Sequence, residues 1–378
     1  MKIAIASGIY PPDIGGPATY SQLIARKLIK QGIDITIICY SDNKKEFIDQ
    51  EEKFKIVRIS RKHNILFRYW LYFWNLFKLA KNADIIYAQG PLSAGLPAML
   101  VSKILKKKFM IKIVGDYAWE QGVNQVGIKD LIEEFQKKKY NSKIERIRRI
   151  QKKVCTEADK IIVPSEFLKR IVRGWGVDEN KIFVVYNSVA GIEDIKGDLK
   201  IVGDVIISGG RLEPWKGMVT LIEIMPDLLK KNPNFRLIIV GRGPESNNLK
   251  FKIKNLNLEK EVKLIDRLTH RELLEYLKAS KIFVLNSGYE GFPHMVLEAM
   301  AMDLPVIASN TCGNPEIIKH GENGLLVGYN NKEQIKNAIL RIWNDKNLRE
   351  KLINNGYKTL GKFTLEKMIN ETINFLKK

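Results

Sequence analysis

VIISGGRLEPWKG, residues 205–217, is the stretch on which the reading of the fold turns. It begins with the unbroken apolar run Val205-Ile206-Ile207, in which apolar and polar side chains do not alternate. A strand with one wet face alternates, whereas a parallel strand covered on both faces by helices reads as a continuous apolar run. The run ends at Ser208 and breaks into Gly209-Gly210, a pair that lets the backbone turn sharply and approach a ligand closely. The chain opens the same way: residues 1–7 form an apolar run, and a glycine loop around Gly15-Gly16 follows.

Further runs of this kind lie at residues 33–39, 54–59, 85–88, 109–114, 161–163 and 182–185 in the first half. In the second half they lie at 236–240, 262–265, 282–285, 305–308 and 325–327, with amphipathic segments between them. Strand–helix repetition implies right-handed crossovers and open, doubly wound sheets. Because the pattern starts twice, the expected fold class is α/β, with two facing Rossmann-like doubly wound domains. The first is placed at residues 1–190 and the second at 204–359. A linker at 191–203 is rich in glycine and charge, and an amphipathic helix at 360–378 closes the chain. Open α/β sheets take ligands beyond the carboxyl ends of their strands, so two such edges face to face make a two-substrate site.

Composition narrows the function classes. The 378 residues suit two domains of ordinary size, and the 45% hydrophobic and 28% charged fractions argue against disorder. The start, MKIAIASGIYPP, lacks a long apolar stretch and a small-residue cleavage site, so it reads as a first strand rather than a signal peptide. No apolar run reaches the ~18 residues of a spanning helix. The expected location is therefore the cytoplasm. Cys39, Cys155 and Cys312 are far apart and odd in number, and only four histidines occur, which argues against a disulfide framework or a zinc site. The net charge is +21, of which residues 1–200 supply +14 (36 Lys/Arg against 22 Asp/Glu). A basic surface attracts nucleic acid, anionic lipid or phosphorylated substrates, but lysine enrichment in a chain rich in Lys, Ile and Asn also serves solubility alone.

Two segments carry chemistry. In SGGRLEPWKG, residues 208–217, Arg211 and Lys216 lie one loop apart directly after a strand. Two fixed cations there would stabilise the charge that develops on a departing diphosphate; the alternative is a solvated turn. In NSGYEGFPHMVLEAMAMDLPVIAS, residues 286–309, a Gly/Pro loop carries Glu290 and enters a helix carrying Glu298. Backbone N–H groups of Gly291 and Phe292 and the helix start offer donors to hydroxyls and phosphate oxygens. Ionised carboxylates accept well from vicinal diols but repel diphosphate, which assigns the carboxylates to sugar and ribose and the cations to phosphate. Glu298 as a structural ion-pair partner is the other reading, weakened by its apolar neighbours Val296, Leu297, Ala299 and Met300.

These two segments, with PEII and HGENGLLV further on, resemble the retaining glycosyltransferases of family 4, which have the GT-B fold. The family's Glu-x7-Glu signature is matched by Glu290 and Glu298, and its preceding Arg…Lys-Gly element by Arg211, Lys216 and Gly217. PPDIGGPATYSQLIARKL, IIVPSEFLKR and VVYNSV are also similar to family segments, so the resemblance spans nearly the whole chain. It implies an acceptor-binding first domain, a nucleotide-sugar-binding second domain, and a final helix crossing back to the first domain. It further implies that Arg211 and Lys216 hold the donor diphosphate and that Glu298 binds the ribose. Glu290 and the backbone of Gly291-Phe292 would position the moving sugar, while Gly15 and Gly16 cover the phosphates. The implied reaction retains anomeric configuration by front-face attack, taking a hexose-type sugar from a UDP- or GDP-sugar to a glycan or lipid-linked acceptor in cell-surface polysaccharide or glycoconjugate synthesis. No cofactor and no metal are expected, and the sequence contains no Asp-x-Asp cradle for a divalent cation. Where many relatives carry a His after the fifth strand, this chain has Asp116; it either meets the acceptor or caps the next helix.

The acceptor side rests on two basic segments. Residues 61–81 hold Phe67, Tyr69, Trp70, Tyr72, Phe73, Trp74 and Phe77 among Arg and Lys, which suits either a core-facing helix or a peripheral contact with the anionic inner membrane surface. Residues 137–153 hold nine Lys/Arg, read as a solvated helix face or a site for pyrophosphate or anionic lipid. A GT-B-like epimerase, phosphorylase or hydrolase is the rival enzyme reading, disfavoured by the scarcity of acid–base histidines. A basic nucleic-acid-binding protein is the rival from another class, and no nucleic-acid signature or stacking platform supports it.

Overall fold

Each apolar run named above becomes a strand. The computed structural model describes residues 1–13, 15–43, 46–189, 195 and 197–377. The strands are β1 (Lys2–Ser7), β2 (Asp34–Ser41), β3 (Lys55–Ser60), β4 (Ile85–Gln89), β5 (Lys108–Lys112), β6 (Lys160–Val163) and β7 (Ile182–Val184), followed by β8 (Asp204–Gly209), β9 (Phe235–Val240), β10 (Val262–Ile265), β11 (Ile282–Leu285), β12 (Val306–Ser309) and β13 (Leu325–Val327). They form two wholly parallel sheets, ordered β3-β2-β1-β4-β5-β6-β7 and β10-β9-β8-β11-β12-β13. In both sheets the strand order reverses beside the first strand, between β1 and β4 and between β8 and β11. Connections leave such a pair of strands in opposite directions, which opens a crevice at their carboxyl ends.

The continuous apolar character of the strands follows from burial on both faces. In the second sheet Ile206, Leu237, Ile239, Val284 and Ile307 belong to one core cluster, and Val205, Ile207, Ile238, Val240, Phe283 and Leu285 to another. Adjacent residues of one strand thus feed opposite cores, as the two-residue period of a strand dictates.

The chain divides into two compact units. One is Met1–Val185 with the chain end from Ile369; the other is Tyr186–Met368. Residues 186–189, assigned from the sequence to the first domain, go with the second unit because Tyr186 packs on Phe292 and Phe363. Val189, Ile195 and Ile201 lie against the same core. Linker residues 190–194 and 196 lie outside the described residues. Leu360 closes the preceding helix, and the last helix runs Leu365–Lys377. Its Thr372 hydroxyl lies 3.2 Å from the Tyr20 hydroxyl, and Phe375 packs on Phe183 and Tyr87, all within the first unit. Among the described residues no helix is long and apolar enough to cross a membrane.

The two basic segments resolve differently. The helix Ile65–Ala80 is split: Tyr72, Leu76 and Ala80 are buried, while Phe67, Trp70 and Trp74 are exposed. In the helix Ser142–Thr156, Arg148 is not solvated; it is buried, donates to the carbonyls of Phe135 and Lys138, and pairs with Glu145. Of the other basic residues on this helix, Lys143, Arg146, Arg149 and Lys153 are exposed and Lys152 is half-buried.

Candidate active site

The two chemistry-bearing segments leave β8 and β11, the pair at which the second sheet reverses. Gly209 ends β8, and a Cβ there would sit 2.7 Å from Met295 Cε and 3.0 Å from the Val240 carbonyl, so a larger residue would have to displace the Met295 side chain. The loop that follows is pinned by backbone bonds from Leu212 N–H to the Arg242 carbonyl (2.8 Å) and from Glu245 N–H to the Leu212 carbonyl (3.0 Å). A short turn, Pro214–Lys216, leads into Gly217, whose φ is +58°. A side chain at Gly217 would meet Asn286 at 2.4 Å, so its absence allows the two loops to touch.

That contact is stitched by polar groups. Asn286 Nδ2 donates to the Gly217 carbonyl (2.9 Å) and to Asn330 Oδ1 (2.8 Å), while Asn330 N–H donates back to Asn286 Oδ1 (2.9 Å). Gly288 N–H donates to the carbonyl of buried Trp215 (2.7 Å). The outcome is an ion pair across the loops, Lys216 Nζ to Glu290 Oε1 at 2.5 Å, with each side chain 13% exposed. Glu290 is held from behind by the Gly313 N–H, which donates to its carbonyl (3.1 Å).

The other candidates of the second unit lie on the same two segments. Arg211 Nη1 lies 3.3 Å from Oε1 of buried Glu213, with the rest of the Arg211 side chain largely exposed. Glu298, on the helix His294–Ala301, lies 3.1 Å from His270 Nε2. Each acidic residue of the pair therefore has a basic partner of its own, rather than two acids standing apart from two bases. Hydrogen bonding to Glu298 holds the His270 pKa above the usual histidine value. Sequence reasoning missed His270. It is the first residue of the helix His270–Ala279, capped by Thr269 and Glu272. That helix follows β10, so it starts at the carboxyl edge of the same sheet; this topological signal was the one available.

Phe292 contributes no side chain to the site, because its ring is buried between Tyr186 and Phe363. The Gly291 carbonyl lies against Gly313, where a Cβ would come within 2.9 Å. In the first unit, Gly15 and Gly16 open the helix Gly16–Lys30, and the space over Gly16 is clear to 4 Å. Asp116 is 1% exposed and caps the helix Tyr117–Gln121. It accepts from Trp119 N–H (3.1 Å), Gln151 Nε2 (2.9 Å) and Gln136 Nε2 (2.7 Å). This is the geometry of a helix cap, the second of the two readings of Asp116.

Comparison with known proteins gives the family and the fold. Residues 193–359 match the family described as Glycosyl transferases group 1, and residues 14–190 match Glycosyltransferase Family 4. An uncharacterised glycosyltransferase of Methanocaldococcus jannaschii is 29% identical over 98% of this chain and 96% of its own. The Escherichia coli UDP-Gal:alpha-D-GlcNAc-diphosphoundecaprenol alpha-1,3-galactosyltransferase is 34% identical over 47% of this chain and 51% of its own. Among solved structures, Anabaena HepE in complex with UDP superposes with a TM-score of 0.77 at 18% identity, covering all of both chains.

Proposed function

The chain is a family 4 glycosyltransferase of GT-B fold, and from that premise we propose that it transfers a sugar from a UDP-sugar, with retention and without a metal, to a hydroxyl of a lipid-linked or glycan acceptor. The Lys216–Glu290 pair at the β8/β11 crevice carries the reading. An ammonium has three N–H donors, so Lys216 can keep Glu290 and also take a diphosphate oxygen. Arg211 projects a guanidinium suited to bidentate phosphate contact. Together they would stabilise the leaving diphosphate as charge accumulates on it. The second oxygen of Glu290 remains for a sugar hydroxyl, and Glu298 for the ribose diol, with the departing phosphate itself taking the acceptor proton. UDP is favoured because HepE was solved with UDP and the E. coli relative is named for UDP-Gal; that same relative's lipid diphosphate acceptor supports a place in cell-surface glycan synthesis.

A thermal-shift panel of UDP-, GDP- and ADP-sugars tests the donor, and the anomeric configuration of the product tests retention. Lys216→Ala is expected to lower kcat/KM by about 10²–10³-fold, the usual cost of one transition-state donor, with activity indifferent to EDTA. Wild-type turnover in Lys216→Ala, or loss of activity in EDTA restored by a divalent cation, overturns the assignment. Free monosaccharide released at the full rate of donor consumption would instead indicate a hydrolase.

A further inference from the structure

The helix Ile65–Ala80 places aromatic rings where a folded chain normally puts polar groups. One face is anchored: the Tyr72 hydroxyl donates to the carbonyls of Ser7 and Ile38, and its ring stacks on Tyr40 at 4.6 Å. The opposite face is a stripe at helical spacing, with Phe67 43%, Trp70 54% and Trp74 42% exposed. Successive rings along it touch, from His63 to Phe67, Phe67 to Trp70, Trp70 to Trp74 and Trp74 to Phe77, and Lys81 Nζ lies 5.3 Å over the Phe77 ring. The first turn adds Ile65 and Leu66, the latter 80% exposed. The neighbouring helix Gly95–Leu105 packs against this one and exposes Leu100 and Ile104. A contiguous patch of large apolar side chains marks a binding surface.

Charge selects the partner. Residues 61–115 contain ten Lys/Arg and a single carboxylate, Asp84, which accepts from the Lys2 N–H at 2.8 Å. Lys62, Lys78 and Lys81, on or beside the aromatic helix, are exposed, as is Lys106, which follows the neighbouring helix. Lysine is depleted from protein–protein interfaces. A stripe of Trp, Phe and Leu flanked by Lys and Arg is instead the make-up of a helix lying in a bilayer interface, where indole rings settle at headgroup level. The helix has 16 residues and does not qualify to span. Its first turn follows the carboxyl end of β3, and exposed Val114 and Tyr117 follow that of β5, so apolar side chains crowd the ligand-binding edge of this sheet.

We propose that this face docks the protein on a bilayer surface of anionic lipid. The inference deepens the lipid-linked acceptor reading and rests on it for its purpose, but the binding assay needs neither donor nor acceptor, so either can fail alone. Full-length protein is floated with vesicles of phosphatidylcholine alone and of phosphatidylcholine mixed equally with phosphatidylglycerol. Co-flotation is expected with the mixed vesicles, weakened by salt, with a blue shift of tryptophan emission. Trp70→Ser/Trp74→Ser is expected to abolish both signals while keeping the wild-type circular dichroism and donor thermal shift. Lys78→Gln and Lys81→Gln are each expected to weaken partitioning about fivefold. Phe251→Ser, at a 63% exposed phenylalanine of the second unit, should bind as wild type. The proposal is overturned if wild type does not float with anionic vesicles, or if the Trp double variant floats as well as wild type. It is equally overturned if that variant only abolishes a concentration-dependent dimer seen by sedimentation, which would make the face a contact between copies.

Discussion

Lys112 is a cation in an unusual place: it is 2% exposed, with its Nζ 3.4 Å from the centre of the Tyr20 ring. Burial lowers its pKa from the usual 10.5 to about 7. The folded state therefore binds the proton less readily than the unfolded state, and the destabilisation is full below about pH 7 and relieved as pH rises toward 10.5. Lys112→Met is expected to stabilise the fold by about 1–3 kcal/mol near pH 6.5, with the Tm advantage shrinking toward pH 10. His270 has the opposite sign. Its raised pKa means that the bond to Glu298 stabilises fully below the unfolded pKa near 6.5 and is lost as pH rises through the higher folded value. With His270 nearly half exposed, screening keeps this to about 0.5 kcal/mol or less, so His270→Ala should lower Tm more at pH 6 than at pH 9. The two segments that carry Arg211, Lys216, Glu290 and Glu298 stood out in the sequence because each follows an unbroken apolar run and opens with glycine-rich loop residues. The pairings of these residues did not. The Lys216–Glu290 and His270–Glu298 bonds join residues 74 and 28 positions apart and depend on which strands lie side by side, which no local pattern encodes.

At the scale of elements, all thirteen strands among the described residues fall on apolar runs visible in the sequence, since burial on both faces leaves no ambiguity of period. Strand order was less legible, and the aromatic helix was read as an alternative between core and surface when its two faces do both. Joints between elements offer sharper tests than the elements themselves. Gly217→Ala would force a Cβ into Asn286 at positive φ, so it is expected to cost about 1–3 kcal/mol in strain alone. It should also pry the Lys216 loop from the Glu290 loop, visible as a lower Tm together with loss of the donor thermal shift. Asp116→Ala removes a cap, takes the carboxylate acceptor from the Gln151 amide and leaves the Gln136 amide only the Ile132 carbonyl. A loss of about 1–3 kcal/mol is expected, with turnover per folded molecule retained well below Tm; abolished turnover at full folding would restore Asp116 to the acceptor site.

Across the whole molecule, the first unit is discontinuous in sequence, taking its last segment from Ile369 onward. Ile373, Phe375 and Leu376 are buried there, and Thr372 joins Tyr20 and Tyr87 in a chain of hydroxyls. A chain ending at residue 364 would uncover Tyr87 and Phe183, and is expected to bind the dye ANS and to melt the first unit well below its temperature in the full chain, while the second unit keeps its donor thermal shift. The division has a consequence during synthesis. Domains generally fold as they emerge, amino terminus first, but here the first 185 residues leave the ribosome with a hydrophobic seat still empty. The segment that fills it, from Ile369 onward, is translated only after the whole of the second unit. The nascent protein must therefore carry an unfinished first unit while the second is being made, and its demand for chaperones should persist until that segment has emerged.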